Sequence, residues 1–309
     1  MSCNVCVVGS ANMDLVISTP RFAEVGETVF GTDFAMHPGG KGANQAVAAS
    51  RLDAQVRFVG AVGDDEWGSQ LRSVLTAYGV DLHFMKSVEK LSTGVGVITV
   101  LPDGDNSIVV ASGANSALSA ADIDAAGQAI RAADVLMLQG EVPAEANRRA
   151  IEIARDASTF VLLNAAPATG IEYDMLRDVD LLVANEGEAR MLLDLGDQDV
   201  SPGGLARRLA SHGPECVVLT LGEEGAVHFD GTELIPLDAF KVESVDGTGA
   251  GDAFIAALAV HRADGERLRE CLRAASAAGA LAVRRKGAIP SLPTRAELEA
   301  FLKEHREDA

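Results

Sequence analysis

A glycine-rich turn that leads into a helical pattern is the segment of the chain best suited to chemistry. It reads Asp246-Gly247-Thr248-Gly249-Ala250-Gly251-Asp252, and apolar residues recur at helical spacing after it. Glycines let the backbone turn sharply, and the free amides at a helix N-terminus can hold a phosphoryl group. Asp252 falls in the first turn, where the helix dipole favours the ionised carboxylate that a general base requires. The segment predicts phosphoryl transfer with Asp252 as the base; a simple helix cap is the alternative.

A second glycine-rich turn lies near the N-terminus and reads Pro38-Gly39-Gly40-Lys41-Gly42-Ala43-Asn44-Gln45. It is not a P-loop, because that motif needs a glycine five positions before its Gly-Lys pair and Ser or Thr after the lysine. Ala35 and Gly42 occupy those positions here. Lys41 and Asn44 offer hydrogen-bond donors, and the glycines allow a ligand to approach closely. The turn predicts a site that grips a polyol, with a plain loop before a helix as the alternative.

Several acidic residues follow predicted strands directly. Asp14 and Glu141 hold such positions, where a carboxylate can accept hydrogen bonds from sugar hydroxyls or can simply belong to a turn. Glu188, in the segment Asn185-Glu186-Gly187-Glu188, could hold Mg²⁺ through water or could supply ordinary helix N-terminal acidity. The segment 220–225 is a further glycine turn at a strand end, suited to nucleotide contacts.

Short apolar runs alternate with helical patterns along most of the chain, which predicts an α/β fold with a mostly parallel central sheet between helices. Small residues at 274–282 predict a helix that packs closely against its neighbours. The predicted strands are 5–9, 56–59, 135–138, 160–163, 181–183 and 217–221. The predicted helices are 43–52, 66–78, 120–132 and 143–157.

Two regions interrupt this alternation. Short strand-like pieces occur at 14–18 and 29–36, and a hairpin pattern joins 93–101 to 107–111 through Pro102-Asp103-Gly104-Asp105. We expect these pieces to form a small separate sheet inserted in the main domain. Above the carboxyl ends of the parallel strands, such a sheet would form a lid over the place where open α/β folds bind ligands.

Composition limits the classes of partner. The chain has 309 residues, 48% of them hydrophobic, and a net charge of −19. That charge argues against nucleic acid and anionic membranes as main partners, because both need a positive surface. The absence of a signal-like N-terminus and of a long apolar run predicts a cytoplasmic protein. We expect the cysteines to be unpaired thiols rather than zinc ligands: Cys3, Cys6, Cys216 and Cys271.

The two glycine motifs together resemble those of the PfkB family of carbohydrate kinases, and within it those of the ribose kinases. The first appears as Gly39-Gly40-Lys41-Gly42-Ala43-Asn44-Gln45-Ala46 and the second as Asp246-Gly247-Thr248-Gly249-Ala250-Gly251-Asp252, in the family's order and separation. The resemblance covers essentially the whole chain. It implies one α/β domain over residues 1–309, with a discontinuous β-sheet lid at about 14–20, 28–38 and 92–112 that pairs two subunits. It also implies transfer of the γ-phosphoryl group of ATP to the 5-hydroxyl of ribose.

The resemblance also assigns roles to residues at matching positions, with Asp252 as the base. The anion hole would comprise Gly249, Ala250 and Gly251. The sugar site would comprise Asn12, Met13, Asp14, Gly40, Lys41, Gly42, Ala43, Asn44, Glu141 and Asp252. The nucleotide site would comprise Asn185, Thr220, Leu221, Gly222, Glu223, Glu224, Gly225, Gly251, Asp252 and Ser276. Asn185 and Glu188 would help to place Mg²⁺. A monovalent cation, usually K⁺, would lie among Asp246, Thr248, Ala282, Arg285, Gly287 and Ser291.

Two positions depart from the family pattern. Gly247 stands where the family commonly has Thr, Ser, Pro or Val, and its extra freedom would loosen the turn between the cation and anion sites. Ser276 stands where Asn or His is frequent, which bears on the strength of the adenine contacts.

Two other kinds of function stay open at this point. Within the same class, the substrate could be deoxyribose, a nucleoside such as pseudouridine, or another sugar. In another class, the chain would be a non-catalytic sugar- or nucleotide-binding regulator on the same fold. Loss of Asp252 or of its glycine turn would mark that second class, and both are present here.

Overall fold

A nine-stranded sheet forms the centre of the molecule in the computed structural model, which describes residues 2–102 and 104–305. Its strands are β1 (Asn4–Val8), β4 (Gln55–Gly63), β5 (Asp81–Val88), β8 (Val135–Leu138), β9 (Phe160–Asn164), β10 (Leu181–Asn185), β11 (Cys216–Thr220), β12 (Ala226–Phe229) and β13 (Leu234–Leu237). Their order across the sheet is β13-β12-β11-β10-β9-β8-β1-β4-β5. The strands from β11 to β5 run parallel, whereas β12 and β13 add an antiparallel edge. The predicted mostly parallel sheet is therefore confirmed.

Helices cover both faces of this sheet. They are α1 (Lys41–Arg51), α2 (Glu66–Ala77), α3 (Ala120–Ala125), α4 (Gly127–Arg131), α5 (Ala144–Ala157), α6 (Glu186–Leu192), α7 (Pro202–Ala210), α8 (Ala250–Ala263), α9 (Leu268–Ala282), α10 (Ala288–Ser291) and α11 (Arg295–Glu304). Successive strand residues point to opposite faces, so Val5 and Val7 join one apolar core while Cys6 and Val8 join the other. The first core lies against α1, α8 and α9, and the second against α3 to α7. The alanines of α9 are almost all buried, as the small-residue pattern predicted.

A separate four-stranded sheet confirms the predicted small sheet. It contains β2 (Asn12–Ser18), β3 (Asp33–Gly39), β6 (Gly94–Val100) and β7 (Asn106–Ala111), in the order β3-β2-β6-β7. The predicted strand at 29–36 is wrong in its bounds, because pairing with β2 begins at Asp33 and continues to Gly39. This extension lets β3 lead straight into α1. Asp103, part of the predicted hairpin turn, lies outside the described residues.

The predicted helix 120–132 is divided into α3 and α4 at Ala126, whose φ of −84° and ψ of 0° leave the helical range. Gly127, a poor helix former, follows immediately.

All four cysteines lie within the described residues and are unpaired. Among the described helices, none has both the length and the apolar character needed to cross a membrane.

Candidate active site

The candidate site lies where the carboxyl ends of β1, β8, β9 and β10 meet the N-termini of α1 and α8. Parallel strands end at the same edge of a sheet, so residues far apart in sequence gather there. The two glycine-rich turns precede the two helices. The geometry therefore brings the two sequence motifs to one place.

Asp252 is held by two side chains of the glycine motif near the N-terminus. Its Oδ2 accepts a hydrogen bond from Asn44 Nδ2 at 2.9 Å, and its Oδ1 accepts one from Gln45 Nε2 at 3.0 Å. Burial raises the pKa of Asp252, while the Lys41 ammonium and these two amide donors oppose the rise. The N-cap of α8 is Gly249 rather than Asp252, and each Asp252 oxygen accepts its hydrogen bond from a side chain of α1. The helix-cap alternative for Asp252 therefore has no support in the geometry.

The turn before α8 needs glycine at one position in particular. Gly249 has a φ of +82°, and a Cβ there would lie 3.0 Å from Ala288 Cα. Ala250 N donates to Gly247 O at 3.2 Å, whereas the first-turn amides of an α-helix otherwise lack intrahelical acceptors. Gly251 is exposed. The turn thus presents backbone N–H groups beside Asp252, which is the arrangement that favours a bound anion.

Lys41 stands at the centre of the charged groups. Burial alone would lower the pKa of its ammonium group, but surrounding carboxylates outweigh burial and raise it. These carboxylates belong to Asp252, Glu141, Glu188 and Asp14. The site therefore gathers the carboxylates of four predicted functional acids around the single ammonium group of Lys41.

Asp14 sits in a slot between two neighbouring strands. A Cβ on Gly39 would lie 2.0 Å from Asp14 Oδ2, and a Cβ on Gly96 would lie 2.5 Å from Asp14 Oδ1. Burial, followed by repulsion from Glu141 and Asp252, raises the pKa of Asp14 to about 7, although Lys41 opposes this. The carboxylate is thus poised to change its charge near neutral pH.

Glu141 ties three segments together. Its Oε2 accepts hydrogen bonds from Ser10 Oγ at 2.5 Å and from Lys41 N at 3.1 Å. The first joins the end of β1 to the loop after β8, and the second joins that loop to the start of α1. Glu141 therefore caps α1 from a distance and has its second oxygen available for a ligand.

Asn12 and Met13, both predicted sugar contacts, are buried at the start of β2. Asn115 Nδ2 donates to Asn12 Oδ1 at 2.7 Å, and Asn115 Oδ1 accepts from Ala11 N at 3.0 Å. This fixes the orientation of the Asn12 amide. The remaining sugar candidates, Gly40, Gly42 and Ala43, belong to the turn and first residues of α1 and are buried.

Asn185 and Glu188 form a reciprocal capping box at the start of α6. Glu188 N donates to Asn185 Oδ1 at 2.8 Å, and Asn185 N donates to Glu188 Oε2 at 2.9 Å. The helix N-terminal alternative is thus realised for Glu188. Burial nevertheless raises the pKa of its carboxyl group against the opposing effects of Asn185 and Lys41, and its Oε1 is not used by the box.

The predicted nucleotide segment follows β11. Thr220 ends that strand, Gly222–Glu224 form a 3₁₀ turn, and Gly225 leads into β12. Thr220 Oγ1 is 3.5 Å from Ala184 O, which links this segment to the neighbouring strand end. Ser276 lies on α9 and lines a cavity of about 510 Å³ together with Phe240 and Arg273.

The predicted cation residues converge on Asp246. Its Oδ1 accepts hydrogen bonds from Thr248 N at 2.9 Å and from Thr248 Oγ1 at 2.7 Å, and its Oδ2 accepts one from Gly287 N at 2.8 Å. Burial raises the pKa of Asp246, but these donors outweigh it and lower the pKa overall. The side chains of the other predicted cation residues are less suited to act as cation ligands. Ala282 ends α9, Ser291 Oγ donates to Ala288 O, and the Arg285 guanidinium pairs with Glu297.

Sequence reasoning missed several polar residues of this region. Gln45 belongs to the N-terminal glycine motif, and the motif gives it no role, although Gln45 contacts Asp252. The others follow or end buried strands, or contact a residue predicted to bind the sugar. A search for amides and hydroxyls at strand ends, in addition to carboxylates, would have found most of them. They are Ser10, Asn115, Gln139 and Asn164.

The fold and the paired glycine turns define a carbohydrate kinase of the PfkB type. Residues 3–295 match the model of the pfkB family of carbohydrate kinases, and the chain belongs to this family. The predicted resemblance is confirmed.

Individual relatives agree along nearly the whole chain. A ribokinase of Bacillus subtilis is 39% identical over 299 residues, covering 97% of this chain and 99% of its own. A deoxyribokinase of Salmonella typhimurium is 34% identical over 302 residues, covering 97% of this chain and 98% of its own. The structure of an Arabidopsis thaliana ribokinase complexed with ribose and ATP superposes with a TM-score of 0.88 at 33% identity, covering 98% of this chain and 99% of that one.

Proposed function

We propose that this enzyme transfers the γ-phosphoryl group of ATP to the 5-hydroxyl of D-ribose, with Asp252 as the general base. The observation that carries the proposal is the Asp252 carboxylate, which is oriented by Asn44 and Gln45 beside the glycine turn that begins α8. Full-length similarity to enzymes named ribokinase supports ribose as the acceptor.

The sugar would be gripped by carboxylates and by the turn before α1. Asp14 and Glu141 would accept hydrogen bonds from its hydroxyl groups, because an ionised carboxylate is an acceptor with two oxygens. Asn44 Oδ1 is buried without a hydrogen-bond partner among the described residues, so it is also suited to accept from a hydroxyl. Lys41 would balance the acids, and the rest of the sugar site would come from Asn12, Met13, Gly40, Gly42 and Ala43.

The transfer step follows from the position of Asp252. The hydroxyl O–H bond breaks as Asp252 takes the proton, the oxygen bonds to the γ-phosphorus, and the bond to ADP breaks. The backbone amides of the α8 turn, from Gly249 to Gly251, would stabilise charge on the phosphoryl oxygens. Neighbouring residues would thus remove the proton from the attacking hydroxyl and stabilise charge on the transferring phosphoryl group.

Nucleotide and Mg²⁺ would be bound by the neighbouring strand ends. The nucleotide would meet Asn185, the segment from Thr220 to Gly225, Gly251 and Ser276. The free oxygen of Glu188 fits an indirect Mg²⁺ site, since Mg²⁺ keeps several waters and uses few carboxylates. Bound Mg²⁺ would neutralise charge on the ATP phosphates.

A K⁺ site fits the residues around Asp246. Lone pairs of its carboxylate remain beyond the donors it already accepts, and backbone carbonyls of Thr248, Ala282, Arg285, Gly287 and Ser291 would complete the oxygen ligands. A cation there would order the turn that holds the phosphoryl group, because Gly249 packs against Ala288.

We further propose one α/β domain over residues 1–309, with a discontinuous lid at about 14–20, 28–38 and 92–112 that also forms a homodimer interface. The small sheet exposes several apolar side chains, and neighbouring exposed apolar side chains are typical of protein interfaces. They are Phe34, Met36, Val97, Ile108, Val109 and Val110. We assign the enzyme to the cytoplasm, because ATP is available there and four unpaired cysteines suit a reducing compartment.

Deoxyribose is the second candidate acceptor, and the 34% identity to a deoxyribokinase favours it over a nucleoside or another sugar. A non-catalytic regulator is disfavoured, because Asp252 and its glycine turn are intact.

Measurement of ADP release over a panel of acceptors tests the function. The panel contains ribose, deoxyribose, fructose, fructose 6-phosphate, adenosine and pseudouridine, each with ATP and Mg²⁺. We expect the highest kcat/KM with ribose and, by ³¹P NMR, a product phosphorylated at the 5-oxygen. A different preferred acceptor would overturn ribose as the substrate, and no acceptor-dependent ADP release at all would overturn the kinase activity.

A further inference from the structure

Behind Asp252 lies a chain of buried amide side chains whose members have no part in the proposed sugar or nucleotide sites. Gln139 Nε2 donates to Gln45 Oε1 at 2.8 Å, and Gln45 Nε2 donates to Asp252 Oδ1 at 3.0 Å. Gln45 Nε2 also lies 3.2 Å from Asn164 Oδ1. Gln45 and Gln139 are fully buried, so water does not compete for these hydrogen bonds.

The charge of Asp252 fixes the direction of donation along this chain. An ionised carboxylate only accepts hydrogen bonds, so Gln45 must turn its Nε2 toward Asp252 and its Oε1 away. That Oε1 faces Gln139, which satisfies it with an N–H. A Gln45 amide rotated by half a turn would set oxygen against carboxylate and N–H against N–H. Gln139 therefore favours the one orientation of Gln45 that supports Asp252.

A hydrogen bond fixes the backbone of Gln139, and a glycine leaves room for its side chain. Asn147 Nδ2 donates to the backbone oxygen of Gln139 at 2.7 Å. A Cβ on Gly9 would lie 2.0 Å from Gln139 Oε1, so the end of β1 admits this side chain because residue 9 is glycine. The backbone from which this side chain extends is thus fixed, whereas Gln139 Oε1 is buried without a hydrogen-bond partner among the described residues.

We propose that Gln139, acting through Gln45, is a positioning residue that orients the Asp252 carboxylate for removal of the sugar proton. Asn44 and Gln45 each use one lone pair on a different oxygen of Asp252, which leaves one on each oxygen for the substrate. The amides hold the carboxylate and neither gain nor lose a proton. This inference rests on the proposed role of Asp252 as the base.

Two substitutions at Gln139 test the idea. Gln139→Met keeps the length of the side chain but removes the donor, and Gln139→Glu replaces the donor with an acceptor. We expect kcat to fall on the order of 10- to 100-fold, because small misplacements of a catalytic group have effects of that size. The KM values for sugar and ATP should stay within about threefold, since Gln139 lies outside the proposed sugar and nucleotide sites.

The pH profile of kcat separates positioning from a merely structural role. Loss of the Gln45 hydrogen bond removes stabilisation of the charged carboxylate, so the acidic limb should move to higher pH, and further for Gln139→Glu. The other charged groups that face Asp252 are Lys41, Glu141 and Asp14, and these variants leave them unchanged. Thr159→Val is the matched control. It removes the buried hydrogen bond from Thr159 Oγ1 to Ile130 O at the other end of the sheet, so melting temperature should fall while the limb stays in place.

A double-mutant cycle with Gln45→Met tests whether Gln139 acts through Gln45, separately from any effect of the substitutions on folding. If Gln139 acts through Gln45, the combined variant should have the same kcat as Gln45→Met alone. Additive losses, or wild-type kcat and pH limb in both Gln139 variants, would overturn the inference. Asp252→Asn is measured alongside: if it is inactive while the Gln139 variants are normal, this inference alone fails, and if it is fully active, the proposed function fails.

Discussion

At the scale of single residues, the candidate site concentrates negative charge that the fold would be more stable without. Asp14, Glu141, Glu188 and Asp252 all act on Lys41, and burial raises the pKa of Asp14, Glu188 and Asp252. Buried groups of like charge are unfavourable, and they persist where chemistry needs them. The acids are therefore best explained by ligand binding rather than by stability.

Asp14 provides a pH-dependent test of this reasoning. Its pKa rises from 3.8 to about 7 on folding, so between these values the folded protein binds a proton that the unfolded chain has released. The contribution of Asp14 to stability is therefore greatest at low pH and falls as the pH rises to 7. We expect Asp14→Asn to be more stable than wild type at pH 8 by up to about 4 kcal/mol, since each pKa unit corresponds to about 1.36 kcal/mol, and to have a higher melting temperature.

The same substitution should weaken sugar binding, because the ionised carboxylate is the better acceptor for hydroxyl groups. In the wild type, the Kd for ribose measured by calorimetry should fall as the pH rises through 7, and Asp14→Asn should abolish this dependence. Asp33→Asn, an exposed acid of the same small sheet, controls for net charge. A stabilised Asp33→Asn or an unchanged Kd in Asp14→Asn would contradict the account.

At the scale of elements, the site depends on two helix N-termini that meet at one edge of the sheet. The turn before α8 is braced by Asp246, which accepts hydrogen bonds from both Thr248 and Gly287. The neighbouring contact between Gly249 and Ala288 connects this brace to the amides beside Asp252. A cation bound at Asp246 would thus affect the phosphoryl site through the packed backbone segments between them.

This connection predicts a preference for K⁺. At equal ionic strength, we expect kcat to be higher in K⁺ than in Na⁺, because the larger ion would suit the backbone carbonyls that are proposed to line this site. Asp246→Asn should reduce the difference between the two salts, whereas Glu243→Gln, an exposed acid shortly before the turn, should leave it intact. Equal steady-state kinetics of the wild type in both salts would count against the cation site.

At the scale of the whole molecule, the net charge and the exposed apolar surface have opposite effects on association. A net charge of −19 opposes association in general, yet the small sheet exposes apolar side chains on its edge strand β7, where Ile108, Val109 and Val110 are consecutive. Both faces of that strand are therefore available for contact. A second copy of the chain is the proposed partner.

We expect the wild type to sediment with twice the mass of one chain. Val109→Lys, which places a charge at a side chain 68% exposed in β7, should shift the equilibrium to monomer. Val25→Lys adds the same charge at a fully exposed valine outside the small sheet and should not. A monomeric wild type, or a Val109→Lys variant that remains dimeric, would rule out this interface. Analytical ultracentrifugation over a range of concentrations gives the masses.

Much of this architecture was predictable because it depends on local patterns. Buried β-strands such as 135–138 are short apolar runs, and the turn before α8 can be recognised from its glycines. The bounds of β3 were not predictable, since they are set by pairing with β2 rather than by its own residues. The strand-end positions of Gln139 and Asn164 can be seen in the sequence, but their link to Gln45 cannot, because it forms only when the fold brings these elements together.

The most direct test of the account is the turnover of Asp252→Asn with ribose and ATP. The variant should fold, because Asn44 has an unpaired Oδ1 that can accept from the new amide after its own amide turns. We expect kcat to fall about 10²- to 10⁴-fold, the usual contribution of a general base, with circular dichroism and ATP binding unchanged. Glu270→Gln, an acid in the first turn of α9, controls for loss of helix N-terminal charge and should keep full turnover. Near-wild-type kcat in Asp252→Asn would contradict the central claim that this carboxylate removes the proton.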